Sequence, residues 1–337
     1  MIPSAAKDER WQLYRLLSEP LRLRLLALAA EEELAVGELA ELLQESQPNV
    51  SRHAAALKQS QLLTARREGT RSWVKLAPRS AEDPVVRDAL QAGRALCSED
   101  GSLMRVYELV AARDHASREF FSKPGASLPE RALSPALPAY LLALGAALGA
   151  PDARALAVDV GTGDGALLDL LSPLFARVVA VDRSASQLAR ARARVVARGY
   201  DNVTFLEDDF GSERLHAHAP TGADLVVSSR VLHHAPRPRE LMRELAALVA
   251  PGGALLVIDY VAHDDEAMAR EQADVWMGFS PAELLDFATA VGFDAPRLLP
   301  LPRGHLGIGR DAHVGWQALV ARRPAAAPKT KETAKAS

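Results

Sequence analysis

The stretch that most constrains this chain is Ala153-Arg-Ala-Leu-Ala-Val-Asp-Val-Gly-Thr-Gly-Asp-Gly-Ala-Leu-Leu168. Leu156 to Val160 is a short apolar run that reads as a buried strand. Gly161, Gly163 and Gly165 then form a tight turn that opens a helix. Glycine serves there because side chains would block the close approach of a ligand to the backbone. Alone, Gly-x-Gly-x-Gly is a weak signal, because any strand-to-helix turn can use it. Its surroundings add weight. A second strand, Arg177 to Asp182, ends in an acid 17 residues past Gly165, where a carboxylate can accept both ribose hydroxyls of a nucleoside. A third, Asn202 to Phe210, ends in the acids Asp208 and Asp209. A fourth runs Ala223 to Ser229, and a fifth from Leu248 through Pro251-Gly-Gly253 to Tyr260. Short apolar runs alternating with amphipathic helices indicate βαβ units around a parallel sheet. Ligands of such sheets sit beyond the carboxyl ends of the strands, where the glycines and both acids gather.

The 337 residues suffice for two domains. With 48% hydrophobic and 25% charged residues the composition is that of a soluble globular protein. The net charge of −3 says nothing about nucleic acid, but its distribution does. From Arg52 to Arg79, seven basic residues (Arg52, Lys58, Arg66, Arg67, Arg71, Lys75, Arg79) face one acid, Glu68, a net +6 over 28 residues. This is either an electrostatic footprint for phosphates or a solvated basic face. The single cysteine, Cys97, supplies neither an internal disulfide nor a cysteine cluster for a metal. No leader or membrane-spanning run is visible, and the expected location is cytoplasmic.

The segment around the basic run has its own order. Val36 to Leu43 is a short amphipathic helix, and Gln44-Glu45 a turn. Ser46 can cap a second helix, Gln47 to Lys58, with Pro48 in its first turn. Val50, Ala54 and Leu57 fall on one face; Gln47, Asn49, Ser51, Arg52, His53 and Lys58 remain outside. Those are side chains that contact bases and phosphates in a major groove. Leu62 to Leu76 alternates around Glu68-Gly69-Thr70 and reads as a hairpin with Arg66, Arg67 and Arg71 near its tip. Two helical patterns follow between Asp83 and Phe121, broken near Ser98–Gly101. Then come a Pro-punctuated stretch, Pro124 to Pro138, and an Ala/Leu-rich buried helix, Ala139–Ala150. The tail after Arg322 has the composition of a disordered segment.

Leu17 to Leu76 resembles the winged helix of the ArsR/SmtB family of bacterial repressors, through Ser18-Glu-Pro-Leu-Arg-Leu-Arg-Leu-Leu26, Val36-Gly-Glu-Leu-Ala-Glu-Leu-Leu43, Gln47-Pro-Asn-Val-Ser-Arg-His53 and Arg67-Glu-Gly-Thr70. The resemblance implies a homodimer bound to double-stranded operator DNA. Many members sense metals through Cys-x-Cys in the first helix of the motif; here those positions read Ala35-Val36-Gly37, so no metal is expected. Ala153 to Leu319 resembles class I methyltransferases that use S-adenosylmethionine (SAM). The resemblance implies a SAM or S-adenosylhomocysteine (SAH) crevice. Asp159, Gly161, Thr162, Gly163 and Gly165 would form its loop, with Asp182 and Arg183 at the ribose. Asp209 would bond the adenine amino group, with Phe210 beside the ring, and Arg230 completes the set. His233, His234 and Pro251-Gly-Gly253 match later motifs. His233 and His234 are read as loop residues supporting the amino-acid end of SAM, or, with Tyr260, as a candidate acceptor pocket. A dinucleotide oxidoreductase would prefer Gly-x-Gly-x-x-Gly spacing and is disfavoured.

The expected fold is therefore multidomain: an α+β winged helix-turn-helix over residues 1–80, a helical dimerisation or linker region over 81–150, an α/β Rossmann-like methyltransferase fold over 151–322 and a tail over 323–337. The whole chain resembles bacterial fusions of the two modules, some of which regulate methionine-cycle genes in response to SAH. Two functions follow. One is a dimeric regulator whose DNA affinity depends on the adenosyl ligand. The other is a small-molecule methyltransferase using the winged helix for dimerisation or autoregulation.

Overall fold

The computed structural model describes residues 4–122, 134, 136–148, 154–301, 311 and 313–325. The chain divides into two compact units, Met1–Arg113 and Asp114–Ser337. Most of the Pro-punctuated stretch and the tail from residue 326 onward lie outside the described residues.

The first unit opens with helices α1 (Ser4–Leu17) and α2 (Pro20–Glu31), the latter started by Pro20 where a missing N–H costs little. A two-residue strand, β1 (Leu34–Ala35), leads into α3 (Val36–Leu43). Gln44, in the left-handed conformation with φ 55°, ends that helix and aims the chain into α4 (Gln47–Gln59). Ser46 stands at the N-cap as expected, but its hydroxyl makes no capping hydrogen bond. Val50, Ala54 and Leu57 are buried, as the helical spacing requires. Strands β2 (Leu63–Glu68) and β3 (Arg71–Leu76) pair antiparallel with Glu68 opposite Arg71, leaving Gly69-Thr70 as the turn. Gly69 has φ 55°, which favours glycine. β1 pairs with the other side of β3, giving a three-stranded wing sheet. Helices α5 (Pro84–Glu99) and α6 (Ser102–Ser122) break at Asp100–Gly101. α6 belongs to the first unit through Arg113 and to the second from Asp114.

The second unit begins with α6's last turns and α7 (Leu137–Leu148), whose Ala139, Tyr140, Ala143, Leu144 and Ala147 are buried. The sheet follows. β4 (Leu156–Val160) is buried at every position. Next come α8 (Leu168–Leu174), β5 (Arg177–Asp182), α9 (Ala185–Arg198), β6 (Val203–Glu207), α10 (Glu213–His218), β7 (Ala223–Ser229), α11 (Pro238–Ala247) and β8 (Val249–Tyr260). Helices α12 (Glu266–Gln272) and α13 (Pro281–Ala290) precede β9 (Asp294–Leu301) and β10 (Trp316–Arg322). The order across the sheet is β6-β5-β4-β7-β8-β10-β9. The first five are mutually parallel, and β10 runs antiparallel to both neighbours. The two strands beyond the five expected are therefore the last ones, β10 inserting between β8 and β9. Among the described residues no helix is long and apolar enough to cross a membrane.

The close approach of α2 and α5 in the first unit rests on one glycine. A Cβ at Gly93 would stand 2.2 Å from the Leu23 carbonyl oxygen, so α2 and α5 meet backbone to backbone there. Gly37 in α3 has nothing within 4 Å of that position. Gly93→Ala is therefore expected to destabilise by about 1–3 kcal/mol through overpacking. Gly37→Ala should stabilise by about 0.5–1 kcal/mol through lower unfolded-state entropy. Urea unfolding of the two variants checks this; equal effects of one sign would refute the close approach.

Candidate functional site

Two separate sets of residues carry chemistry. The first lies on α4 and the wing. Gln47, Ser51, Arg52 and Lys58 are exposed, and Asn49 and His53 are half-buried. Asn49 Nδ2 donates to Glu45 (2.9 Å), and the Arg52 guanidinium donates to Asn49 Oδ1 (2.6 Å), so these side chains are pre-aligned along the helix. His53 differs. Its Nδ1 accepts from Arg22 Nε at 3.2 Å, and burial together with the charges of Arg22 and Arg52 lowers its pKa. On the wing, Arg67 and Arg71 are exposed. Arg66 is not grouped with them. It pairs with Glu33 (2.8 Å) and Glu68 (3.6 Å) and lies over the Trp73 ring at 5.6 Å. Alternation along β2 puts Arg66 on the face opposite Arg67, the face that also carries Glu68 and, across the pair, Trp73, rather than the core-facing side of Leu63 and Ala65.

The second set lies at the carboxyl ends of β4, β5, β6 and β7. Backbone bonds from Gly161 and Thr162 to the Val181 carbonyl (2.8 and 3.1 Å) pin the glycine turn to the end of β5. The three glycines are needed for different reasons. A Cβ on Gly161 (φ 74°) would meet Val231 at 2.4 Å, so this position serves packing. One on Gly163 (φ 56°) would meet nothing within 4 Å, so its backbone borders open space. Gly165 is crowded by Ala191. Helix α8 starts only at Leu168, three residues beyond the last glycine, so the turn is wider than its spacing suggests.

Asp159 is fully buried. Its Oδ2 accepts from the Thr162 hydroxyl (2.6 Å), while Oδ1 has no partner. Burial pushes its pKa up to about 7. Asp182 accepts from the Gly163 N–H on Oδ2 and the Ser184 N–H on Oδ1, both at 2.9 Å. Burial raises its pKa against the pull of those bonds. Each of its oxygens keeps a lone pair for a further donor.

Asp209, at the end of β6, is ion-paired with Arg183 (2.9 Å) and with Arg118 from the last turns of α6 (2.9 Å). Arg183 also pairs with Asp114 (2.9 Å) and covers the face of Phe210 at 4.6 Å. The Ser184 hydroxyl donates to the Phe121 carbonyl (2.8 Å). The end of α6 is thus tied to the residues at the ends of β5 and β6. Arg118 and Asp114 gave no signal in the sequence, because helical spacing says nothing about which acid a surface arginine will meet.

Beyond β7, Arg230 and the Tyr260 hydroxyl both donate to Asp311 Oδ2 (3.0 and 2.9 Å). Tyr260 is 1% exposed and stacks on His233 at 4.3 Å. His233 is fully buried, with Nδ1 2.7 Å from Asp259. Burial opposes its protonation, but Asp259 and Asp274 outweigh that and raise its pKa. Burial and the neighbouring His233 depress the pKa of His234. The three residues suggested for an acceptor pocket are indeed adjacent, yet Tyr260 and His233 present no exposed surface. Asp259, Asp274 and Asp311 hold this cluster.

The Asp159 environment has a sign that can be checked. A carboxyl whose pKa is higher in the folded state favours folding below its ordinary value near 4 and loses that contribution as pH rises to about 7. The loss is at most about 1.4 kcal/mol per pH unit. Asp159→Asn keeps the Thr162 bond and removes the slope. Urea unfolding at pH 5 and pH 8 should show the variant gaining on the wild type at the higher pH; parallel pH dependence would refute the buried, unpartnered carboxyl.

Comparison with known proteins assigns both units. Residues 19–65 match the family model described as bacterial regulatory protein, arsR family, and residues 158–255 match one described as methyltransferase domain. A ubiquinone biosynthesis O-methyltransferase of Ralstonia nicotianae is 28% identical over 195 residues, 52% of this chain and 79% of that one. An uncharacterized methyltransferase of Mycobacterium tuberculosis is 36% identical over 104 residues, 31% of this chain, and the match spans half the length of that relative. Among solved structures, the N-methyltransferase NodS from Bradyrhizobium japonicum with SAH aligns at TM-score 0.47 and 17% identity, covering 63% of this chain and 99% of that one. The [4+2]-cyclase SpnF aligns at TM-score 0.46 and 19% identity, over 67% and 96%. The chain joins an ArsR-family helix-turn-helix to a methyltransferase domain of the class I, Rossmann-like fold.

Proposed function

We propose that this chain is a dimeric DNA-binding regulator whose affinity for its operator is set by SAM or SAH. The observation that carries the reading is the pairing of Asp209 with Arg118. Asp209 is the acid expected at the adenine amino group, and Arg118 sits in the last turns of α6. A ligand that uses Asp209 competes with Arg118 for the same carboxylate. Its affinity then differs between a seated and a released helix end, which is the requirement for coupling. The first part of the same helix belongs to the unit that carries the winged helix.

The crevice residues suit an adenosyl ligand. Gly163 borders open space, and Asp182 offers free lone pairs to ribose hydroxyls. Thr162 orients Asp159, Phe210 and Arg183 would flank the base, and Arg230 is held by Asp311 near the far end. SAM would supply an electrophilic methyl group; SAH would not. For DNA, Gln47, Asn49, Ser51, Arg52 and Lys58 on α4 and Arg67 and Arg71 on the wing form the reading surface. His53 and Arg66 support it from behind. Exposed Trp11 and Tyr14 on α1 and Met104 and Tyr107 on α6 are the apolar surface a second copy would cover.

A second reading, small-molecule methyl transfer, is favoured by the likeness to the Ralstonia O-methyltransferase across 79% of that protein. Methyl transfer needs alignment and exclusion of water more than acid–base groups. The two readings are compatible.

Calorimetry with SAM and SAH, followed by a gel shift on the DNA upstream of its own gene, separates them. Ligand-dependent DNA binding is the expected result; DNA binding indifferent to both ligands would sink the regulator. Asp182→Ala should abolish nucleoside binding, while Arg118→Ala should tighten it by relieving competition at Asp209. Unchanged affinity in both would refute the crevice. Arg52→Ala and Arg71→Ala should each weaken DNA binding and lower the slope of log K against log salt by about 0.9. Arg66→Ala should leave that slope in place. Equal slopes for all three variants would count against this reading surface.

A further inference from the structure

We propose that His233, His234 and Asp274 form a binding site for a divalent first-row transition cation such as Zn²⁺. This inference goes beyond the adenosyl reading and does not rest on it. Among the described residues these three bring one ligand atom each to within 4.8 Å of one another. His233 Nε2 lies 3.6 Å from Asp274 Oδ1, and His234 Nδ1 lies 3.5 Å from the same oxygen. The side chains of His233 and Asp274 are 0% exposed and that of His234 11%.

Two facts point to a ligand rather than to ordinary packing. First, His233 Nε2 and both oxygens of Asp274 are buried with no hydrogen-bond partner. Buried polar atoms are almost always satisfied, and a buried carboxylate with no hydrogen bond, held only by imidazoles at 3.5 and 3.6 Å, is a costly exception. Second, the distances are wrong for the alternative. A proton shared between Asp274 and either imidazole needs about 2.6–3.2 Å between heavy atoms. The observed 3.5 and 3.6 Å exceed that. They are close to the roughly 3.3–3.4 Å between ligand atoms around a tetrahedral cation with bonds of about 2.0–2.1 Å, and the two imidazole nitrogens lie within 4.8 Å of each other.

The surroundings are those of a prepared site. Asp259 lies 2.7 Å from His233 Nδ1 and holds a proton on that nitrogen, so Nε2, facing Asp274, is the nitrogen that would give up its proton to a cation. A carboxylate behind a ligating histidine is the usual way its tautomer and ring are set. Tyr260 stacked at 4.3 Å fixes the ring plane. The backbone N–H groups of Val275 and Trp276 donate to the His233 carbonyl (3.1 and 3.0 Å), and Trp276 Nε1 donates to the Ala235 carbonyl (2.7 Å). The loop bearing both histidines is thereby locked to the segment bearing the aspartate. His234 Nδ1 now makes a long contact of 3.4 Å with the Ala273 carbonyl, which ligation replaces. Two nitrogens and one carboxylate are the donor set of a borderline cation rather than of Mg²⁺ or Ca²⁺, and three protein ligands leave a coordination position for an oxygen ligand.

The full-length chain, stripped with a chelator and dialysed, is titrated with Co²⁺ and Zn²⁺. Bound metal is measured by elemental analysis, Co²⁺ coordination by visible absorption, and unfolding by heat. The expected result is one equivalent per chain, a tetrahedral Co²⁺ spectrum and a metal-dependent rise in Tm. Asp259→Asn should weaken binding by about 10–100-fold through loss of orientation. Asp274→Asn and His234→Ala should weaken it more and abolish the rise in Tm. His313→Ala, at an exposed histidine paired with Asp265, serves as the control and should change nothing. No retained metal in the wild type overturns the proposal, whatever the variants do. Loss of binding in His313→Ala, or full retention in Asp274→Asn, overturns it as well.

Discussion

The second unit depends on how the turn after its first strand is held against its neighbour. Gly161 and Thr162 donate to the Val181 carbonyl, and Gly163 donates to the Asp182 carboxylate. These three bonds join the ends of β4 and β5 into one rigid edge. Gly161 must lack a side chain because Val231, from the loop after β7, closes on it. The edge therefore also sets where Arg230, His233 and His234 lie. Loss of the turn would displace the crevice and the histidine loop together, although they carry different chemistry.

Around that edge the structure places acids in three different states. Asp182 is satisfied by backbone donors and keeps spare lone pairs. Asp209 is open to water but neutralised by two arginines. Asp159 Oδ1 and both oxygens of Asp274 are buried without a hydrogen bond, although Asp274 stands 3.5 and 3.6 Å from two imidazoles. Desolvation makes the last two the most costly. Under the two proposals each gains a compensating partner from outside the chain, an adenosyl ligand at one and a cation at the other. A site that is stabilising only when filled is also one whose filling can be sensed.

The basic surface of the first unit is smaller than its sequence charge. Of the arginines expected at the wing, Arg66 is used internally on Glu33, Glu68 and Trp73, leaving Arg67 and Arg71 outward. Strand alternation separates Arg66 from Arg67, which are successive residues on one strand, whereas Arg71, opposite Glu68, stays exposed through its place beside the turn. On α4, Arg52 donates to Asn49, which donates in turn to Glu45. The surface presented is thus a few ordered donors rather than a diffuse positive patch.

Much of this architecture is local and was legible in the residues. Helical spacing marked α4 and its buried face, Gly69 marked the hairpin turn, and three strands, β4, β5 and β7, start and stop where their apolar runs do. The glycine spacing located the edge of the sheet but not the distinct duty of each glycine, because that depends on which neighbour arrives: Val231 at Gly161, nothing at Gly163. The side-chain pairings at the strand ends were beyond reach of the sequence. Arg118 meets Asp209 across 91 residues, Arg230 meets Asp311 across 81, and Asp259 meets His233 across 26. Periodicity reports which face of an element is apolar, and motif spacing reports which backbone turns are tight. Neither reports which charged groups the chain brings together at the strand ends, since that follows from the order of strands in the sheet and the paths of the loops between them.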